Sequence, residues 1–490
     1  MIRIGGLVLV YLTLAPLCAA QAPERVGSGS AVTLPGRSNT PALSQIEESF
    51  RAGRFREAQT DAQELVKAQP DNARAWMFLG MASVRLNEAA KAVQAFEKAI
   101  ALDPTDSRPY FDLGLLYASQ NDLDKAIDRY QKGLALDDRN GATYYNYGRV
   151  LLAKGRIQEA VDALRRDLAL NPSDSEARIA VVEALLRAHE RKKAREEVHA
   201  VLEKNDAPGT VLVSLGGLLV RGGEFDLGKT VLTRALAVSP DSAAAHIELS
   251  RLSTALSYHT EAIHDARRAV QLAPDSLETN LALAEALISA RQDRLATELL
   301  KKLEPRFGGT GAFHYTLGIA EYRAGRYQPA VTAFERAIQL DPNLDLAFFL
   351  LGQTHLVGGE LDPAEACFKS AVRLKPDSTL YYNYLARVYE QKGSPFHDAA
   401  VQATERVLAL DPKDVESRER MAKWAKEAGD LARARALLEE VVADAPTEIS
   451  VRVLLASIYY RLNLRQKGDE QTGMVRRLEA LSQESQTKAH

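Results

Sequence analysis

Cysteine is nearly absent from this chain of 490 residues: only Cys18 and Cys367 occur, so a disulfide framework is excluded. An excess of one charge sign is missing too. The net charge is −3, whereas proteins that bind duplex DNA or RNA through their backbones carry a clear basic excess. Acidic and basic residues alternate without long single-sign runs, as on solvated helix faces. The N-terminal apolar run, Leu7 to Leu14, is too short to span a bilayer with ease. Catalytic signatures are also lacking. There is no Gly-x-Ser-x-Gly elbow and no cysteine with an evident partner. The nine histidines include no pair at the i, i+4 spacing of a helical metal site, since His259 and His264 stand five apart. What is present is ordinary globular material, 46% apolar and 26% charged, which excludes wholesale disorder. The chain is too long for one core, so several domains or a repeat array are expected.

The first twenty residues, MIRIGGLVLVYLTLAPLCAA, read as a signal peptide. Arg3 supplies the positive start, Leu7 to Leu14 the apolar stretch, and Cys18-Ala19-Ala20 the small-residue cleavage site. Cleavage after Ala20 would leave Cys367 as the sole cysteine. Leu17 before Cys18 is bulkier than a lipoprotein acceptor site requires, so lipid anchoring is the lesser reading. Residues 21–42, rich in Gly, Pro and Ser, read as a flexible leader. The expectation is therefore an exported protein, periplasmic or secreted.

A period of 34 residues organises the rest. Pro70, Pro104, Asp138, Pro172, Asp206, Pro240, Pro274, Gly308, Pro342 and Pro376 follow one another at that step; Pro412 comes after 36 residues and Pro446 after 34 more. Two columns of small residues share the register: Gly80, Gly114, Gly148, Gly216, Ser250, Ala284, Gly318, Gly352, Ala386, and Ala92, Ala126, Ala160, Ala194, Gly228, Ala262, Ala296, Ala330, Ala364. Two bulky columns accompany them: Trp76, Tyr110, Tyr144, Leu212, Phe348, Tyr382, and Phe96, Tyr130, Leu164, Leu232, Leu300, Phe334, Phe368. Each unit holds two helical segments of about a dozen residues, divided by a turn residue such as Asn121, Gly155, Gly325 or Gly393. Small columns permit close helix approach and bulky columns fill the space around it. A single helix pair cannot bury its apolar face, so neighbours must stack.

These columns resemble the tetratricopeptide repeat (TPR) family, from about Ser44 to at least Pro446. The resemblance implies an all-α fold, an α-solenoid (right-handed superhelix) of about 12–13 TPR helix–turn–helix repeats. The organisation read from it is a signal peptide 1–20, a leader 21–42, repeats one to eight over 43–305, repeats nine to twelve over 306–448, and a degenerate thirteenth repeat with a capping helix over 449–490. The segment LEPRFGGTGAF (303–313) reads as either a hinge or an ordinary long turn, and QKGSPFHDAA (391–400) as a loop insertion of two residues.

The stretch GEFDLGKT (223–230) satisfies the P-loop pattern. In the repeat register, however, Gly223 falls in the turn column and Gly228 in a small column, so packing already accounts for both. The pattern is read as a coincidence of spacing. Cys367, beside Phe368 on a second helix, is expected to be a half-buried, inert thiol. No enzyme, cofactor, metal, nucleic acid or membrane span in the mature chain is expected.

The resemblance implies that ligand peptides lie along the first helices. Counting from each repeat start, the fifth, ninth and thirteenth residues share one helix side. The candidate partner-binding residues there are Arg85, Phe111, Tyr145, Arg149, Arg187, Arg221, Arg251, Tyr315, Arg323, Phe349, Asn383 and Arg387. They suggest a cationic groove with aromatic platforms for acidic or C-terminal peptide segments, or an anionic polysaccharide. The alternative is that the arginines pair with acidic residues of adjacent helices. The tetrapeptide YYNY, present at Tyr144 and again at Tyr381, is offset by one residue in the repeat register. Tyr144 and Tyr382 are therefore assigned to one core column, and Tyr145 and Asn383 to the groove. The functional expectation is a non-catalytic protein–protein interaction scaffold outside the cytoplasm, or else an assembly subunit of an envelope secretion or polysaccharide-export machine.

Overall fold

A computed structural model describes residues 41–204 and 206–488. The expected signal peptide and nearly all of the leader lie outside the described residues. The described chain forms twenty-six α-helices in thirteen consecutive pairs, from Pro41–Arg51 with Phe55–Ala68 to Ile449–Arg461 with Arg465–Lys488. No strand occurs among the described residues. The fold is an all-α solenoid of helix–turn–helix repeats.

The helix starts follow the chemistry of the residue two places after the proline position. Asn72, Asn140, Asp174, Ser242 and Asp414 each accept a hydrogen bond from a backbone N–H two or three residues on, at 2.8–3.2 Å. These caps satisfy amide groups that the first helical turn leaves without partners. The proline-position carbonyl has a use of its own. Trp76, Arg178, His314 and Arg452 each bond the carbonyl six residues back, at Pro70, Pro172, Gly308 and Pro446, over 2.8–2.9 Å. Side chains of three chemical kinds (indole, guanidinium and imidazole) thus fill one register position and tie the inter-repeat turn to the next first helix.

The turn inside each pair demands a left-handed residue. Gly155 sits at φ +80°, and its equivalents in the other twelve repeats all have φ between 58° and 88°. Glycine adopts this conformation freely, and Asn87, Asn121 and Asn463 tolerate it. His189, Ser257 and Arg291 hold it against a steric preference of about 1 kcal/mol.

Side-chain volume is matched across each pair. A Cβ added to Gly80 would lie 2.6 Å from the Phe96 ring; at Gly114 it would meet Tyr130 at 2.8 Å, and at Gly318 Phe334 at 2.6 Å. These second-helix rings are essentially fully buried. The same two columns hold Ile46 with Ala62, and Val182 with Val198, all four buried. A larger residue in the first column is accompanied by a smaller one in the second, as close packing requires.

The described helices group into two compact units, one ending at Thr279 and the other beginning at Asn280. In the first, a continuous apolar core runs from Ala92 to Ala245. The double glycine Gly216–Gly217 lets the helix Gly209–Arg221 approach its neighbours closely: a Cβ on Gly217 would sit 2.9 Å from the Glu248 carboxyl carbon. In the second, the segment 303–313 is resolved into helix and turn. Pro305 ends the helix Asp293–Phe307 in its last turn, and Gly311 begins the next helix against Asp341. The insertion at 391–400 is taken up by a 3-10 turn, Ser394–Phe396, with Phe396 stacked on Tyr389 at 6.1 Å.

Candidate functional site: the first-helix faces

In the first unit the first helices carry a ladder of ion pairs. Arg149 reaches Glu183 of the next repeat at 2.8 Å, and Arg187 closes on the same carboxylate at 2.7 Å. Two repeats further on, Glu248 accepts from Arg251 at 2.7 Å with Arg221 at 3.8 Å, and Arg251 continues to Glu278 at 3.6 Å. The Glu248 and Arg251 side chains retain only 12% and 13% of their exposure. A charge so far out of water requires a partner, and the ladder supplies one in each direction. The mostly cationic groove expected from the sequence is thus corrected: Arg149, Arg187, Arg221 and Arg251 are neutralised within the fold. At the edge of this face Asp112 is pushed up to about 7, because burial disfavours its charge more strongly than nearby Arg108 favours it.

The second unit presents a different face. Phe349 is buried between Phe368, Tyr381 and Tyr384, with ring centroids 5.0–5.8 Å away. Above this cluster Leu346, Leu350, Leu356 and Tyr384 are only partly covered, and Val357 is 52% exposed. Tyr381 donates to Asp345 at 2.5 Å; burial and that carboxylate hold its phenol well above the usual range. Several ion pairs of this unit's first helices run to turns and second helices: Glu321 meets Lys301 and Arg326, His355 meets Glu360, and Lys392 meets Asp362 and Glu365. Arg323 meets Asp293 at 3.2 Å, and the buried Arg420 guanidinium binds Glu416, Glu390 and the Asn383 carbonyl.

Tetratricopeptide repeat models match residues 44–107, 111–175, 213–276 and 349–415, and two further models of the same repeat match 311–344 and 397–458. The chain belongs to the tetratricopeptide repeat family. Among solved structures, a crystal structure of MamA protein is 24% identical, covering 36% of this chain and 94% of that one at a TM-score of 0.31. A second MamA structure is 25% identical over 34% and 97%, also at 0.31. The Cut9–Hcn1 hetero-tetramer of APC/C is 13% identical over 90% and 94%, at 0.39. A comparison with curated proteins gives no match.

Within the TPR frame, the twelve candidate residues separate into three groups. Phe111, Tyr145, Tyr315 and Phe349 are core, not platforms: each is at most 9% exposed, and Phe111 lies over Gly133 of its own repeat. Arg149, Arg187, Arg221, Arg251 and Arg323 are paired with carboxylates, while the Asn383 carbonyl accepts from Ser417 and Arg420 of the next repeat. Only Arg85 and Arg387 are exposed with no carboxylate paired among the described residues; they stack on Phe55 at 4.8 Å and Tyr384 at 5.1 Å.

The YYNY assignment is corrected in the same way. Tyr145 and Tyr381 are buried, whereas Tyr144 and Tyr382 are half-buried.

Four-residue steps passed over Tyr322, at the twelfth position, while Gln353 and Val357 stand at the ninth and thirteenth positions and were left out because they are neither charged nor aromatic. A helix side drifts by 3.6 residues per turn, so the twelfth position joins the face beside the thirteenth.

The P-loop-like stretch lies where the repeat register puts it. Gly223 is the left-handed turn residue, and the Gly228 N–H donates to Glu224 O at 2.8 Å inside the helix Phe225–Val238. Glu224 is buried in ion pairs with Arg195 and Arg191, and Thr230 bonds its own helix at Asp226 O. The amides of Gly223, Glu224 and Gly228 are already engaged, with Val220 O, Leu219 O and Glu224 O. Cys367 is half-buried, and burial pushes its thiol up to about 11, which leaves little thiolate at neutral pH.

Proposed function

We propose that this TPR protein is a non-catalytic interaction scaffold that holds partner proteins along the first-helix faces of its repeats. The carrying observation is the division of labour between its helices. Second helices expose a broad, mostly polar side, whereas the first helices are largely buried and keep a narrower, half-buried stripe in repeat after repeat. The signal-like N-terminus supports a site of action outside the cytoplasm, and finding Gln21 as the N-terminus of the protein from cell envelopes would test that part.

Partner binding is tested by affinity capture of residues 43–490 from envelope extract, followed by mass spectrometry. Specific partners should be retained by wild type and lost from a variant carrying charge and polar substitutions on the exposed first-helix positions. Equal retention by both proteins would remove the scaffold reading. A thermal-shift titration with ATP should leave the melting temperature unchanged; stabilisation would reopen the nucleotide reading of Lys229.

A further inference from the structure

We propose that the first-helix face of repeats nine to eleven, in the second unit, is a docking site for a partner peptide that places apolar side chains beside a carboxylate. The proposal rests on the interaction-scaffold reading and names the site and its chemistry. Three observations converge. First, the face is apolar yet incompletely covered: Tyr322, Leu350 and Tyr384 are half-buried and Val357 is exposed. Burial of such a stripe is what an apolar anchor of a peptide provides.

Second, Gln353 stands on the same helix stripe, one turn beyond Phe349 and one turn before Val357. It is 7% exposed, and its Oε1, shielded from solvent, has no hydrogen-bond partner among the described residues. A buried amide oxygen without a donor costs free energy in the free protein, and turning the Gln353 side chain toward an extended peptide lets a backbone N–H satisfy it. Third, the charge on this face is one-sided. Asp345 accepts from Tyr381, Glu390 is held by Arg420, and Arg323 is paired with Asp293. Arg387 alone on this face is an exposed guanidinium without a carboxylate among the described residues, and its Cζ lies over the Tyr384 ring, 5.1 Å from the centroid. A guanidinium pre-oriented on an aromatic face is ready to take a carboxylate in a bidentate bond.

The test uses the full chain and short synthetic peptides with a central Leu or Phe, followed two residues later by Glu, Gln or Lys; binding is read by fluorescence anisotropy. Affinity should fall in the order Glu, Gln, Lys, with about tenfold between the extremes. Arg387→Glu should reverse that order, Val357→Asp should abolish binding, and Gln353→Leu should weaken it for every peptide. Arg149→Glu, in the first unit, should change nothing. Arg387 and Val357 are exposed, so their variants keep the fold, and an unchanged circular dichroism melt verifies this. An order insensitive to Arg387→Glu, or binding unaffected by Val357→Asp, overturns the site. Absence of binding by all peptides, while envelope capture succeeds, overturns this site and leaves the scaffold reading standing. Failure of both removes both.

Discussion

The two units use one repeat to make opposite faces. In the first, Arg149, Glu183, Arg187, Arg221, Glu248 and Arg251 neutralise one another along neighbouring first helices. In the second, the equivalent stripe of repeats nine to eleven is built from Tyr322, Leu350, Gln353, Val357 and Tyr384, with Arg387 as its exposed cation. The ladder satisfies its own charges and so gives an incoming ligand little to complete. The apolar stripe leaves both area and hydrogen-bonding capacity unfilled. A face with much charge is therefore less available for binding than one with little, because the charges have already found partners.

The framework common to both units should show the largest effect. Gly80→Val and Gly318→Val drive a branched side chain into the Phe96 and Phe334 rings, and each should destabilise its unit by about 3 kcal/mol in urea unfolding. Adding Phe96→Ala to Gly80→Val should recover part of the loss, as the natural pair Ile46 and Ala62 suggests. A double variant no more stable than Gly80→Val alone would show that the columns are not coupled.

Glu248→Ala probes the ladder alone. It leaves Arg221 and the largely buried Arg251 without their shared carboxylate, and should cost about 2–3 kcal/mol, whereas Leu350→Ala at a solvated edge of the other face should cost about 1 kcal/mol. Equal costs would erase the contrast between the faces.

Asp112→Asn gives the contrast a pH signature in the first unit. The folded carboxyl is raised to about 7, so folding favours its neutral form. Its unfavourable contribution is absent below the ordinary aspartate range, grows as pH rises from about 4 to about 7, and is constant above. The variant should therefore gain about 1–2 kcal/mol at pH 8 and nothing at pH 4, with partial solvation keeping the gain below the full shift. A melting temperature raised equally at both pH values would assign the gain to some other cause.

Ser257→Gly in the first unit and Arg291→Gly in the second relieve the same left-handed turn, and each should stabilise by about 1 kcal/mol. Val357→Ser should be the smallest perturbation, within about 0.5 kcal/mol in stability, since the side chain is already in water. Its effect belongs to binding.

The fold was legible in residues such as Gly80, Phe96 and Gly155. Turn, close approach and ring filling depend on short stretches of chain and recur at a fixed step, so composition at one register position reports its environment directly. The candidate face was read less well. Tyr145 and Phe349 were assigned to the groove but are buried in the core, because side chains of neighbouring helices, beyond the reach of a count within one helix, cover them. Arg149 was counted as an available cation because the carboxylate that claims it lies 34 residues away in sequence, on the next first helix, whereas Arg251's nearer partner Glu248 stands only three residues before it and was within reach of the sequence.

By itself the sequence determined the repeat, the helix pairs, their turns and the complementary volumes that hold each pair together, since these follow from local conformational preference and packing within about one repeat length. The tertiary structure alone decided which charges are free. Whether an arginine is a ligand site or half of an ion pair depends on the rotation of one helix against the next, and a difference of a few ångströms there separates a silent ladder from an open face.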